Sequence, residues 1–113
     1  MDLTGLISPV DLKEGYEGKI LLVAIFGPKA GKMICLRSGD DWHREILRNT
    51  EMEIQNIGLK DLVVMPAGGA WIRFDGQGDI TIYGSSDEFG TCDKAIAADL
   101  LRTVFPEKTI STR

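Results

Sequence analysis

Residues 19–26 read KILLVAIF, a nearly continuous apolar run rich in β-branched residues, closed by Gly18 on one side and by Gly27-Pro28 on the other. A half-exposed strand alternates apolar and polar residues, whereas an unbroken run of this length between turn residues reads as a central strand buried on both faces. After the short loop GPKAG the apolar pattern resumes in KMICLRS, which is expected to be the hairpin partner of that strand.

From Asp40 the period changes. His43, Ile46, Leu47, Thr50, Ile54 and Ile57 recur at helical spacing, while Arg44, Glu45, Arg48, Glu51 and Gln55 mostly take the opposite side. The spacing predicts an amphipathic helix, with Ser38, Asp40 and Asp41 as candidate caps at its start and Gly58 as its stop. Residues 59–86 read as three further strands, the first two separated at Gly68-Gly69 and the last two by the turn DGQGD. Period two puts Trp71 and Arg73 on one face, Ile72 and Phe74 on the other. A second helix is expected from Thr91 or Asp93, burying Ile96, Leu100, Leu101 and Val104 or Phe105 before Pro106 ends it, and KTIST is a candidate edge strand. The predicted architecture is an α+β domain: a single mixed sheet of about five or six strands with two helices.

The 113 residues suit one domain over 1–113, burying about two thirds of its unfolded surface. No repeat, low-complexity tract or linker divides it. A formal charge of −4, without a basic run or arginines interleaved with aromatics, argues against nucleic acid as a partner. The N-terminal stretch MDLTGLISPVDLKEG lacks the pattern of a signal peptide, and no apolar stretch approaches the roughly 20 residues that span a bilayer. Cys35 and Cys92 lie in apolar or helical contexts, so buried free thiols are expected and with them a reducing, cytoplasmic setting. Nothing in the pattern requires more than a monomer.

GPKAGK at 27–32 fails as a phosphate loop, having three residues between its glycines where four are needed and Met33 where Ser or Thr should follow the lysine. One histidine and two distant cysteines offer no zinc-ligand spacing, and no GxSxG elbow supports a Ser-His-Asp triad. No metal or cofactor is expected. The single histidine, His43, falls on the inward stripe in the first helical turn, where unpaired amides and the helix dipole disfavour a second positive charge. The neutral imidazole favoured there can take a proton from water or attack phosphorus, although a hydrogen-bonded core histidine is the commoner occupant of such a position. The stretch YGSSDEFGTCDK at 83–94 runs from a strand through a glycine-bounded loop into a helix; such a loop either cradles a phosphate, with Ser85, Ser86 or Thr91 adding hydroxyls, or is a capped turn. Gly68-Gly69 is either a close approach of backbone to a ligand or a sheet bulge.

WHREI, PAGGAWI, DITIYGSSDEFG and the ending FPEKTI, in this order and spacing over roughly residues 18–110, resemble the protein histidine phosphatase family, also called the janus and ocnus family. The resemblance implies a small α+β domain that removes phosphate from phosphohistidine in proteins without a metal. It makes His43 the catalytic histidine and Trp42 the aromatic residue before it. It places Lys19, and Arg37 if two residues are missing from the intervening loop, as cations for the phosphoryl oxygens. It assigns Gly68 and Gly69 to the glycine run at the substrate, and Ser85 and Ser86, Ser86 above all, to the phosphate loop.

The chain departs from that pattern in three places, one being the shorter loop between Arg37 and His43. Ala70 and Trp71 stand where the family has an arginine, so Arg73, on the same face as Trp71, is the candidate to replace it at the phosphate if the register permits, and Asp87 and Glu88 put two carboxylates in the loop that would receive an anion. The expected function is therefore a metal-independent phosphohistidine phosphatase acting on a phosphorylated protein, with His43 as general base or nucleophile. The rival expectation is a non-catalytic phosphate- or phosphoprotein-binding module of the same fold.

Overall fold

The computed structural model describes residues 5–28, 31–58 and 61–113. Five strands and two helices follow in the order β1 Gly18–Gly27, β2 Gly31–Arg37, α1 His43–Ile57, β3 Val63–Phe74, β4 Ile80–Tyr83, α2 Lys94–Val104 and β5 Ile110–Thr112. They form one sheet, ordered β2-β1-β3-β4-β5, antiparallel except that β5 runs parallel to β4. This is the expected α+β architecture. Lys29, Ala30, Leu59 and Lys60, parts of the GPKAG loop and of the stretch before β3, lie outside the described residues.

The KILLVAIF run forms most of β1, and its successive side chains feed two separate apolar clusters. Ile20 and Leu22 pack with Ala70, Ile72, Ile80, Ile82, the α2 residues Ala97, Ala98 and Leu101, and Phe105 just after α2. Leu21, Val23 and Ile25 pack with Cys35 and with Ile46 and Ile54 of α1. The two helices therefore cover opposite faces of the sheet, and each buried Leu or Ile contributes about 1.5–3 kcal/mol relative to exposure. Ile7, before the first strand, is also buried in the α1-side cluster, and the segment around Val10 bridges in parallel to Leu36 on the outer edge of β2.

Three expectations are corrected. Residues 63–74 are one strand, because Gly68-Gly69 does not break it: β1 advances two residues from Leu21 to Val23 while β3 covers three between Gly69 and Pro66, a bulge that absorbs the extra residue. Pro66, which cannot donate to the ladder, sits beside that irregularity. In α2, Ile96 and Val104 are exposed and the face turned to the sheet is Ala97, Ala98 and Leu101, small residues that let the helix approach closely. The start of α1 has Trp42 at the capping position and no side-chain cap; Asp40 instead accepts a 3.3 Å hydrogen bond from the Trp42 amide, outside the helix. Gly58, at φ 81°, closes α1 as expected, and Asp93 caps α2 through bonds from the Ala95 and Ile96 amides.

Candidate functional site

His43 is the first residue of α1, and the helical stripe that buries Ile46, Thr50 and Ile54 turns it toward the sheet as well. Its ring lies against β3, where Gly69 provides the space: a β-carbon there would stand 2.6 Å from His43 Cδ2, 2.7 Å from Nε2 and 2.9 Å from Ser86 Cβ. His43 Nε2 lies 3.0 Å from the carbonyl oxygen of Ala70. A carbonyl only accepts, so Nε2 carries the proton and donates, leaving Nδ1 as the nitrogen with the free lone pair. Among the described residues no buried side-chain nitrogen or oxygen lacks a partner, and no protein group bonds Nδ1, so Nδ1 keeps its contact with solvent. Although His43 is only 6% exposed, it opens onto a cleft of about 740 Å³.

Lys19, Trp42, Trp71, Arg44 and Glu45 line that cleft together with the loop Ser85–Glu88. The loop is a tight turn pinned to β3. Ser86 and Gly90 bond each other's backbone at 3.1 and 3.0 Å, the Ser86 hydroxyl accepts from the Phe89 amide at 3.1 Å, and the Gly69 amide donates to Gly90 at 3.0 Å. The amides of Gly69 and Ser86 are thus taken up in holding the loop, and the hydroxyl of Ser86, which is buried, is engaged within its own turn. Ser85 is exposed, and its hydroxyl makes no protein hydrogen bond among the described residues.

Both carboxylates of the loop line the cleft, and Glu88 is paired with Arg44 there. Arg44 grips it with Nε at 3.1 Å from both carboxylate oxygens and Nη2 at 2.7 Å from one. That hydrogen bonding, followed by the charge of Arg44, holds the Glu88 carboxyl below its ordinary value, and the same bond raises the Arg44 guanidinium. Asp87 lines the cleft. The start of α1 lies on the other wall; the Glu45 and Ile46 amides bond the Trp42 carbonyl at 3.1 and 3.0 Å, and among the described residues no side chain bonds those of His43 and Arg44.

The fold brings together Lys19, Trp42, His43, Ser85 and Ser86 around one cleft, with Gly69 beneath the imidazole. It separates three other expected residues from it. Arg37 is 5% exposed, paired with Glu53, 3.7 Å from Asp11 and bonded at 3.0 Å to the Ser8 carbonyl; it ties α1 and the N-terminal segment to β2 and does not line the cleft. Arg73 lies 5.6 Å over the Tyr83 ring on the sheet surface, outside the cleft lining. Gly68, at φ 92°, packs its bare α-carbon on Cys92, where a β-carbon would lie 2.6 Å from the Cys92 nitrogen. The glycine pair serves packing of His43 and of the 90–92 segment.

Two parts of the site were missed. The Ala70 carbonyl that fixes the histidine tautomer lies 27 positions from it, and backbone acceptors leave no mark in a sequence. Arg44, assigned to the outer side of the helix, is the partner of Glu88; its place immediately after His43 in the first turn was the available signal. Among the described residues no group of three or more His, Cys, Asp or Glu side chains stands together as metal ligands, and no helix is long and apolar enough to cross a membrane.

Compared with known proteins, the chain matches the Janus/Ocnus family (Ocnus) over residues 5–109. It is similar to the sex-regulated protein janus-A of Drosophila yakuba, 32% identical over 101 residues that cover 88% of this chain and 73% of that protein. It is also similar to the janus-A of Drosophila orena, 29% identical over 100 residues with the same coverage.

Proposed function

The chain belongs to the Janus/Ocnus family, and from that premise and the geometry of the His43 cleft we propose that it is a metal-independent phosphatase that hydrolyses the P–N bond of phosphohistidine in proteins. The observation that carries this reading is the 3.0 Å contact of His43 Nε2 with the Ala70 carbonyl oxygen. With Nε2–H held by the Ala70 carbonyl, Nδ1 is the nitrogen of the neutral ring left to the solvent side, in a cleft that Lys19 and the start of α1 also line.

In one route Nδ1 takes a proton from water as the oxygen bonds to phosphorus and the P–N bond breaks, the departing imidazole nitrogen picking up a proton from solvent. In the other, Nδ1 bonds phosphorus as the substrate's P–N bond breaks, the departing imidazole nitrogen takes a proton from solvent, and water later cleaves the new P–N bond on His43 to release phosphate. Both routes build negative charge on the phosphoryl oxygens, which in this reading Lys19, the His43 and Arg44 amides and the Ser85 hydroxyl offset.

A second reading rests on Asp87, which lines the cleft, and on the engagement of Arg37 and Arg73 elsewhere. With Lys19 the one unpaired cation that lines the cleft among the described residues, the same pocket would serve a module that binds a phosphorylated protein and releases it unchanged. Purified protein incubated with a phosphohistidine peptide, with and without chelator, separates the two. The phosphatase reading expects phosphate release that chelator leaves intact and His43→Ala reduces at least a hundredfold. Saturable binding of the peptide without release would favour the module.

A further inference from the structure

Lys19 stands between two indoles. Its Nζ lies 4.7 Å from the Trp42 ring centroid and 5.3 Å from that of Trp71, its cross-strand partner on β3. The two rings are not equivalent. Trp42, 66% exposed, has little else to hold it. Trp71 is anchored: it stacks on Tyr83 at 6.4 Å with 23° between planes, and its Cδ1 lies where Gly84, at φ 73°, lacks a side chain, 3.0 Å from the position of a β-carbon.

The lysine also borders a second groove, whose lining does not include His43. Lys19 and Trp71 line both; the second carries Asp11, Glu17, Asp40 and Asp41. Among the described residues no ion pair involves Lys19, although carboxylates are available to it on that side. A flexible four-carbon stem with a compact charge would otherwise lean toward them. The faces of the indoles attract the ammonium without neutralising it, so the charge stays available to an anion in the His43 cleft.

We infer that Trp71 is a positioning residue: it holds the Lys19 ammonium on the His43 side of the ridge between the two grooves, with Trp42 closing the clamp from above, so that the lysine meets phosphoryl oxygens. The inference rests on the phosphate cleft of the proposed function, and it concerns binding, so it is tested without turnover. In this chain an aromatic clamp on one lysine supplies the electrostatic focus of the cleft.

The experiment is a titration of inorganic phosphate into the full chain, followed by backbone amide NMR shifts, for wild type, Trp71→Phe, Trp71→Leu, Lys19→Ala and the double variant Trp71→Leu/Lys19→Ala. Trp71→Leu keeps an apolar side chain and loses the π face; it is expected to weaken phosphate binding about three- to tenfold, whereas Trp71→Phe retains most of it. In the Lys19→Ala background the change from Trp to Leu should cost nothing further, because its effect passes through the ammonium. Equal losses from Trp71→Leu in both backgrounds, or phosphate affinity indifferent to Lys19, would overturn the inference while leaving phosphatase activity to stand on its own assay. Coupled losses in phosphate binding with no phosphohistidine turnover by wild type would uphold the clamp and remove the phosphatase reading. Absence of phosphate binding by wild type overturns both.

Discussion

At the scale of single residues, the site is a set of mutual accommodations around one imidazole. Gly69 is there because any side chain would enter the ring of His43 and the β-carbon of Ser86. Gly69→Ala is therefore expected to lower stability by about 1–3 kcal/mol, several degrees in Tm, and to displace the imidazole from Ala70. Thermal unfolding together with phosphate titration checks this; unchanged Tm and unchanged binding would contradict it. The helical spacing of His43, Ile46, Thr50 and Ile54 made the inward direction of the histidine legible from sequence, since period 3.6 is a local property. The resemblance singled out Lys19 and Trp42, and the fold places both at the cleft. What the sequence hid were the contacts that choose between equals. Arg37 and Arg44 are both arginines near the histidine, and only the positions of Glu53 and Glu88 decide that one is buried structure and the other a clamp at the cleft.

At the scale of elements, β3 and α1 define the cleft between them, and the device that positions them is the bulge at Gly68. Proline and two glycines within five residues read locally as a break, yet the strand runs through because β1 pairs with it on both sides of the irregularity and the 90–92 segment lies against Gly68. The face chosen by α2 was illegible for a related reason. Ile96 and Val104 are more apolar than Ala97 and Ala98, but close approach to the sheet favours the small residues. The junction of α1 with the sheet depends on Arg37, whose guanidinium reaches Glu53, Asp11 and the Ser8 carbonyl from β2. Replacing it by methionine keeps the apolar stem and drops the charge, leaving two partly exposed carboxylates and one carbonyl unpaired. Arg37→Met should cost about 1–3 kcal/mol in chemical denaturation and leave phosphate affinity within twofold of wild type. A much larger loss of affinity at full stability would return Arg37 to the phosphate site.

At the scale of the whole molecule, one sheet with a helix on each face gives two apolar clusters, and each holds a cysteine, Cys35 on the α1 side and Cys92 on the α2 side. The apolar run of β1 announced both layers, because a strand whose neighbouring residues are all apolar must be covered twice. The parallel pairing of β5 with β4 was not announced, since three residues of edge strand carry too little pattern. Desolvation raises both thiols above their ordinary value of 9.0, with Arg37 partly opposing it at Cys35 and Lys94 at Cys92. A group whose folded value is raised contributes stability that is present below the unfolded value and lost as pH rises through the folded one. Urea midpoints should therefore fall as pH climbs past the ordinary thiol value, and less steeply in a Cys35→Ala/Cys92→Ala double variant; equal slopes would contradict the burial assigned to the thiols.

The central claim, that the bare nitrogen of His43 is Nδ1 and that it faces the phosphate cleft, is open to direct measurement because the chain contains one histidine. Nitrogen-15 NMR of the imidazole in protein labelled at histidine reports which nitrogen bears the proton. The expected spectrum of the neutral ring has a protonated Nε2 and an unprotonated Nδ1, with inorganic phosphate moving the Nδ1 resonance first. A proton on Nδ1, or a ring indifferent to phosphate at concentrations that saturate the cleft, would contradict the account.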